Sequence, residues 1–188
     1  MDATPGSSSK TLSVEQLMEQ YVDGNPEAFD ELYRQVSPRI LGYLIRLTRD
    51  PVRAEDLLQL TFTKVHRARE SYLRGAPLLP WLLAIARRCF YDERRFAKNR
   101  PEDLSFNGML PEPKQEQVGL APDMAEALER ALNQLPEAYR EAIELTKITG
   151  LSIAEAAGVL GATETAVKLR VHRGYNLLRQ SLQQFRRT

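Results

Sequence analysis

The sequence predicts an all-α protein: two small helical domains joined by a flexible linker, the C-terminal one containing a helix-turn-helix. Three observations predict it. Apolar residues recur at helical spacing along most of the chain, and no run alternates as a half-buried strand would. Proline preceded by Asn or Asp opens successive periodic segments, at Asn25-Pro26 and Asp50-Pro51. From residue 100 to 122 the period dissolves into four prolines, two glycines and several acids, the composition of a tether.

Residues 1–12 lack a hydrophobic signal core and are expected to form a disordered leader. A first helix is predicted from Val14 to Val22, ending near Gly24. The second starts at Pro26 with Asn25 as its N-cap, and Leu32, Val36, Ile40, Tyr43 and Leu47 fall on one face. Pro38 lies inside this pattern and should kink or interrupt it. The third helix uses Asp50 as cap. Leu57, Leu58, Phe62 and Val65 form its core stripe, while Asp56 and Gln59 point outward. A loop, "LRGAPLLP", leads to "PWLLAIARRCFYDERRF", and the N-terminal domain spans 13–99. The linker occupies 100–122. The C-terminal domain, 123–188, is expected to hold helices near 123–134, 136–148, 152–160 and 163–184, with Ser152 and Glu155 as a capping box. Each domain is small, so each core is marginal alone. The tether would leave the two domains with no fixed spacing.

The segment from Ser152 onward has helix-turn-helix proportions. Ile153, Ala156, Ala157 and Leu160 give the first helix an inner face, Gly161 supplies the turn, and Thr163 caps the second helix. At about 100° per residue, Val167, Val171, Gly174 and Leu178 face inward. Thr165, Lys168, His172, Arg173, Asn176 and Arg179 fall on the other side, with Arg170 at the flank. An apolar back, a polar front and cationic edges suit the major groove and its phosphates. A lone basic helix is more often a solvated bundle face. The capped preceding helix, the glycine turn and the alanine contact favour DNA. Glu164 has two open readings: a first-turn acid that favours the helix dipole, or an acceptor for a cytosine amino group.

Net charge is +1, but it is unevenly spread. Residues 84–100 and 151–188 each sum to +4, and 101–123 to −4. Two basic blocks therefore flank an acidic stretch. The first block mixes rings with cations: Trp81, Phe90, Tyr91 and Phe96 among Arg87, Arg88, Arg94, Arg95 and Lys98, with Tyr72 just before. Rings that stack on bases beside cations that hold phosphates are the composition of a single-strand-binding surface. Trp81, Ile85 and Cys89, at i, i+4 and i+8, equally fit a buried stripe. Arg88, Tyr91 and Arg95 stand at other angles and remain available.

Cys89 is the single cysteine, so neither an intramolecular disulfide nor a cysteine-based metal site is available. His66 and His172 form no ligand cluster. No apolar run approaches the ~20 residues of a membrane span, and a reducing cytoplasmic setting is the simplest reading. Nucleophile–base pair, metal cluster and phosphate loop are all lacking in the sequence, so neither an enzyme nor a bound cofactor or metal is expected.

The order of "RAEDLLQLTF", "WLLAIARRCFYDERR" and "GLSIAEAAGVLGATETAVKLRVHRG" resembles the extracytoplasmic-function sigma factors, small two-domain promoter-specificity subunits of bacterial RNA polymerase. The likeness covers about residues 15–182. It implies that Asp56, Leu57 and Gln59 dock on core RNA polymerase. Tyr72, Trp81, Arg87, Arg88, Tyr91 and Arg95, with the loop from Ser71 to Pro77, would open and read the −10 element of promoter DNA. Thr163, Glu164, Thr165, Lys168, Arg170, His172 and Arg173 would read the −35 element. An anti-sigma factor is implied as a further partner, because the family commonly has one. Departures from the usual pattern are Leu60, where an acid is usual, Arg88, where asparagine is frequent, and the proline-rich loop. Two alternatives stand beside this reading: a sigma-like decoy that titrates an anti-sigma protein, and a stand-alone helix-turn-helix repressor with an N-terminal dimerisation domain. Retained Lys168, Arg170 and Arg173 weigh against the decoy, and the aromatic-basic helix would have no purpose in the repressor.

Overall fold

Side-chain caps set where the helices begin. In the computed structural model, which describes residues 12–98 and 122–185, Ser13 and Gln16 form a capping box at the head of α1 (Val14–Val22). Asn25 Oδ1 accepts the Glu27 N–H at 3.1 Å to open α2 (Pro26–Thr48), and Asp50 Oδ1 accepts the Arg53 N–H at 3.1 Å to open α3 (Pro51–Ala68). A 3₁₀ turn, Arg69–Ser71, and the loop after it lead to α4 (Leu78–Lys98). The expected leader up to residue 11 and the expected linker from 100 to 121 lie outside the described residues.

The interruption expected at Pro38 does not occur: α2 runs unbroken through it. Pro38 and Arg34, whose carbonyl a residue with an N–H would have bonded, are both exposed, so water can satisfy that carbonyl. Val36 and Ile40, on either side of the proline, hold the segment in the core.

In the C-terminal module α5 (Pro122–Gln134) precedes α6 (Glu137–Ile143). The single helix expected over 136–148 is divided. After Ile143 the chain widens into a π-helical turn, Glu144–Ile148, closed by Thr149 N–H to the Glu144 carbonyl at 2.8 Å. Ser152 and Glu155 form the predicted capping box on α7 (Ile153–Leu160), and Gly161 ends it at φ 60°, the left-handed geometry that suits glycine. Thr163 Oγ1 accepts the Ala166 N–H at 3.2 Å and starts α8 (Glu164–Phe185). Gly174 lets α8 lie close to α6: a Cβ there would stand 2.6 Å from Ile143 Cδ1.

The two modules are packed together, which revises the expectation of unfixed spacing. α4 lies against α7, and one continuous apolar cluster joins Tyr43, Leu82, Leu83 and Ala86 to Ala142, Leu145, Ala156, Ala157 and Val167. A smaller cluster of Ala131, Leu135, Ile143 and Leu178 belongs to the second module alone. Sharing a core removes more apolar surface from water than either small module would alone.

Candidate nucleic-acid interface

α8 presents the face that its sequence predicts. Val167, Val171, Gly174 and Leu178 are buried, and Glu164, Thr165, Lys168, His172, Arg173, Asn176 and Arg179 are exposed, with Thr163 exposed at the cap. Arg170 is half-buried at the flank. α7 crosses behind, where Ala156 and Ala157 are buried and bring the two helices close. Glu164 Oε2 lies 3.8 Å from Lys168 Nζ, an exposed i,i+4 pair that contributes little to stability and leaves both groups able to turn outward.

On α3, Asp56 and Gln59 are exposed side by side, with Leu60 exposed next to them. Leu57 is buried in the core beneath this patch, so it supports the surface rather than facing a partner.

The residues of the aromatic-basic block are not brought to one surface. Tyr72 is 5% exposed, donates its hydroxyl hydrogen to the Ala76 carbonyl, and meets the half-buried Trp81 ring at 5.5 Å between centroids. Cys89 is buried, as the i, i+8 spacing allowed. Arg88 and Arg95 are exposed. Arg87 and Tyr91 point into the seam between the modules. Arg87 Nε donates to Glu141 Oε1 at 2.8 Å and Nη2 to Oε2 at 3.3 Å, while its guanidinium lies 4.5 Å from the Tyr91 ring centroid. Tyr91 donates to Glu137 at 3.0 Å and lies 3.4 Å from Glu141 Oε2. The expectation that Tyr91 remains available is therefore corrected: packing against α6 gives its hydroxyl two carboxylate acceptors.

Glu137, Glu141, Tyr43 and Arg94 complete this seam; the sequence placed Tyr43 on an apolar face and Arg94 in the basic block, and singled out neither Glu137 nor Glu141. Tyr43 donates to Glu141 Oε1 at 2.8 Å, and Arg94 Nη1 to Glu137 Oε1 at 2.6 Å. Arg39 and Arg49 reach the carbonyls of Thr149 and Asn133, at 2.8 and 2.9 Å. Burial, reinforced by the Glu141 charge, pushes the Tyr43 and Tyr91 hydroxyls above the usual phenol range, so both stay protonated as donors. The available signal was the spacing of Glu137, Glu141 and Glu144 at i, i+4 and i+7, three acids on one face of a helix that also carries the apolar residues of the core.

Among the described residues, no group of three His, Cys, Asp or Glu could hold a metal ion, and no helix is long and apolar enough to cross a membrane.

Residues 32–100 match sigma-70 region 2, and residues 125–178 match sigma-70 region 4. The chain is 36% identical over 165 residues to the RNA polymerase sigma factor CarQ of Myxococcus xanthus, covering 88% of this chain and 95% of that one. It is 32% identical over 173 residues to the ECF RNA polymerase sigma factor SigF of Caulobacter vibrioides, covering 88% and 92%. Among solved structures it is similar to the sigma factor RpoE of Bartonella quintana, solved in complex with the anti-sigma factor NepR. The TM-score is 0.71 at 29% identity, over 82% of this chain and 96% of that one. It is also similar to CnrH in complex with the cytosolic domain of CnrY, with TM-score 0.67 at 25% identity, over 90% and 96%.

Proposed function

The chain belongs to the extracytoplasmic-function RNA polymerase sigma factors, and on that premise we propose that it is a promoter-specificity subunit that carries core bacterial RNA polymerase to −35 and −10 elements. Sigma factors are initiation factors, and the chemistry is the polymerase's. The observation that carries the proposal is the exposed polar and cationic face of α8 set on a buried helix-turn-helix back. Thr165, Lys168, His172 and Arg173 reach base edges and phosphates of the −35 duplex, with Arg170 at the flank for a phosphate. Thr163 and Glu164 lie at the helix N-terminus, where the first contacts of a recognition helix fall.

Asp56 and Gln59 dock on core polymerase, held in place by buried Leu57. Arg88 and Arg95 are the exposed cations for the −10 strand. Arg87 and Tyr91 join them once the seam opens, because pairing with Glu141 neutralises the Arg87 charge and turns both side chains into the seam. Trp81 and Tyr72 shape the loop that borders the melted bases. The pairing of Arg87 and Tyr91 with Glu141 supports a resting form in which the −10 reading surface is partly covered. The site of action is the cytoplasm, where the polymerase is. An anti-sigma protein is a further partner, as NepR is for the RpoE relative.

The test is transcription from a random-sequence promoter library by core bacterial polymerase, with and without this chain. Transcripts that appear only with the chain, and share paired −35 and −10 motifs upstream of their starts, support the proposal. Their absence with active core polymerase overturns it.

A further inference from the structure

Arg46, on α2, is in an unusual position for a guanidinium. Its Nε is fully buried and has no hydrogen-bond partner among the described residues. It lines a cavity of about 220 Å³ at the seam between the modules, together with Pro38, Arg39, Gly42, Ile148 and Thr149. Thr149 lines the same cavity, and its hydroxyl is buried without a hydrogen-bond partner among the described residues. Arg39 is exposed at the mouth and donates one N–H to the Thr149 carbonyl at 2.8 Å, which leaves its other donors available to the cavity. Two arginines and a threonine thus line one cavity.

We propose that this cavity binds the phosphate group of a small molecule. The site is built from α2 of the first module and the end of the π-helical turn of the second, so a bound phosphate would bridge the two.

Three physical points support the assignment. A buried polar group without a partner calls for a ligand or ordered solvent, and for a cation the cost of leaving it unpaired is larger than for a neutral group. Second, the local charge is only partly balanced by protein carboxylates. Glu144 is the acid whose charge acts on Arg46, but it also faces Arg140 at 3.8 Å and the charge of Arg49. Glu141 is taken by Arg87. Burial raises the Glu144 carboxyl to about 7, so near neutrality it is partly uncharged and compensates Arg46 still less. Third, the donors suit the ligand: a guanidinium is a planar fork that matches phosphate oxygens, and a threonine hydroxyl donates to a further one. Water could fill the volume, since a water takes up only about 30 Å³, but it supplies no countercharge.

The test uses the full chain and thermal unfolding, with inorganic phosphate and ADP as separate probes, each against sodium chloride of matched ionic strength. At tenfold excess over Kd the unfolding midpoint should rise by about 3–6 °C. A rise with inorganic phosphate identifies the free ion as sufficient; a rise with ADP alone identifies a phosphate carried by a nucleotide. Arg39→Gln and Thr149→Val, one at an exposed position and one near-isosteric, should keep the fold and each weaken the probe by about tenfold. Lys168→Ala with Arg173→Ala, which removes cations of the α8 face, should leave the rise intact. The inference is overturned if neither probe exceeds the chloride control, if the rise survives in both cavity variants, or if it disappears in the α8 variant instead. Promoter-dependent transcription is not part of the readout, so failure here leaves the initiation reading standing.

Discussion

Arg87 and Glu141 join the two modules across 54 residues of sequence, with Nε 2.8 Å from Oε1 and Nη2 3.3 Å from Oε2. Glu141 is 2% exposed, and it also accepts from Tyr43. Replacing it by alanine leaves Arg87 half-buried without its acceptor and Tyr43 buried without a hydroxyl partner. The seam should weaken by about 2 kcal/mol. Small-angle scattering of Glu141→Ala is expected to show a larger radius of gyration, and the free variant should bind a single-stranded −10 oligonucleotide more tightly than wild type. An unchanged radius together with unchanged affinity would mean that the apolar contacts alone hold the modules closed.

Lys168 and Arg173 stand exposed on α8. Replacing either with alanine should cost the holoenzyme about 1 kcal/mol, or fivefold, on a −35 duplex, and lower the slope of log affinity against log salt by about one. Unchanged affinity and slope in both variants would remove α8 from the DNA interface.

Asp56 and Gln59 share an exposed patch on α3. Asp56→Ala with Gln59→Ala should lower affinity for core polymerase while leaving helicity and thermal midpoint as in wild type. Leu57→Ala is the contrasting variant: its side chain is buried, so it should destabilise the first module by about 2–5 kcal/mol. Competition against a labelled sigma subunit measures the first effect, and thermal unfolding separates the second.

Glu144 titrates in a range where few carboxyls do. Burial raises it from the ordinary value near 4.5 to about 7, against the lowering effect of Arg46 and Arg140. Between these two values the folded chain holds more protons on this group than the unfolded chain does, so its contribution to stability falls as pH rises and levels off above about 7. The full span is on the order of 3 kcal/mol. Glu144→Gln should flatten the decline of the thermal midpoint from pH 5 to pH 8 and be no less stable than wild type at pH 8. A decline in the variant as steep as in wild type would assign it to other groups.

Local signals in the sequence were sufficient for the starts of the capped helices and for the inner face of α8. Asn25, Asp50 and Ser152 act through side chains on N–H groups two or three residues away, and such caps need no knowledge of the rest of the fold. The apolar positions Val167, Val171, Gly174 and Leu178 follow from a 3.6-residue period alone. Pro38 was legible as a lost hydrogen bond, but whether the helix survives depends on whether the freed carbonyl meets water, and that is tertiary information. The seam was not legible for the same reason. Arg87 and Tyr91 have the composition of a nucleic-acid surface, and Glu137 and Glu141 that of a solvated helix face. Only the packing of α4 and α6 puts opposite charges in register. The π-helical turn that carries Glu144 inward has no residue-type signature of its own.

The most direct test is a three-way comparison on one promoter fragment, carrying a fluorescent base at the −10 position, of the free chain, core polymerase and the two together. The account predicts sequence-specific binding and strand opening only with the two together, because the free chain holds Arg87 and Tyr91 on Glu141 and core polymerase has no promoter specificity of its own. Specific binding by the free chain as tight as that of the assembled enzyme, with no opening on addition of core polymerase, would contradict it and restore the stand-alone repressor reading.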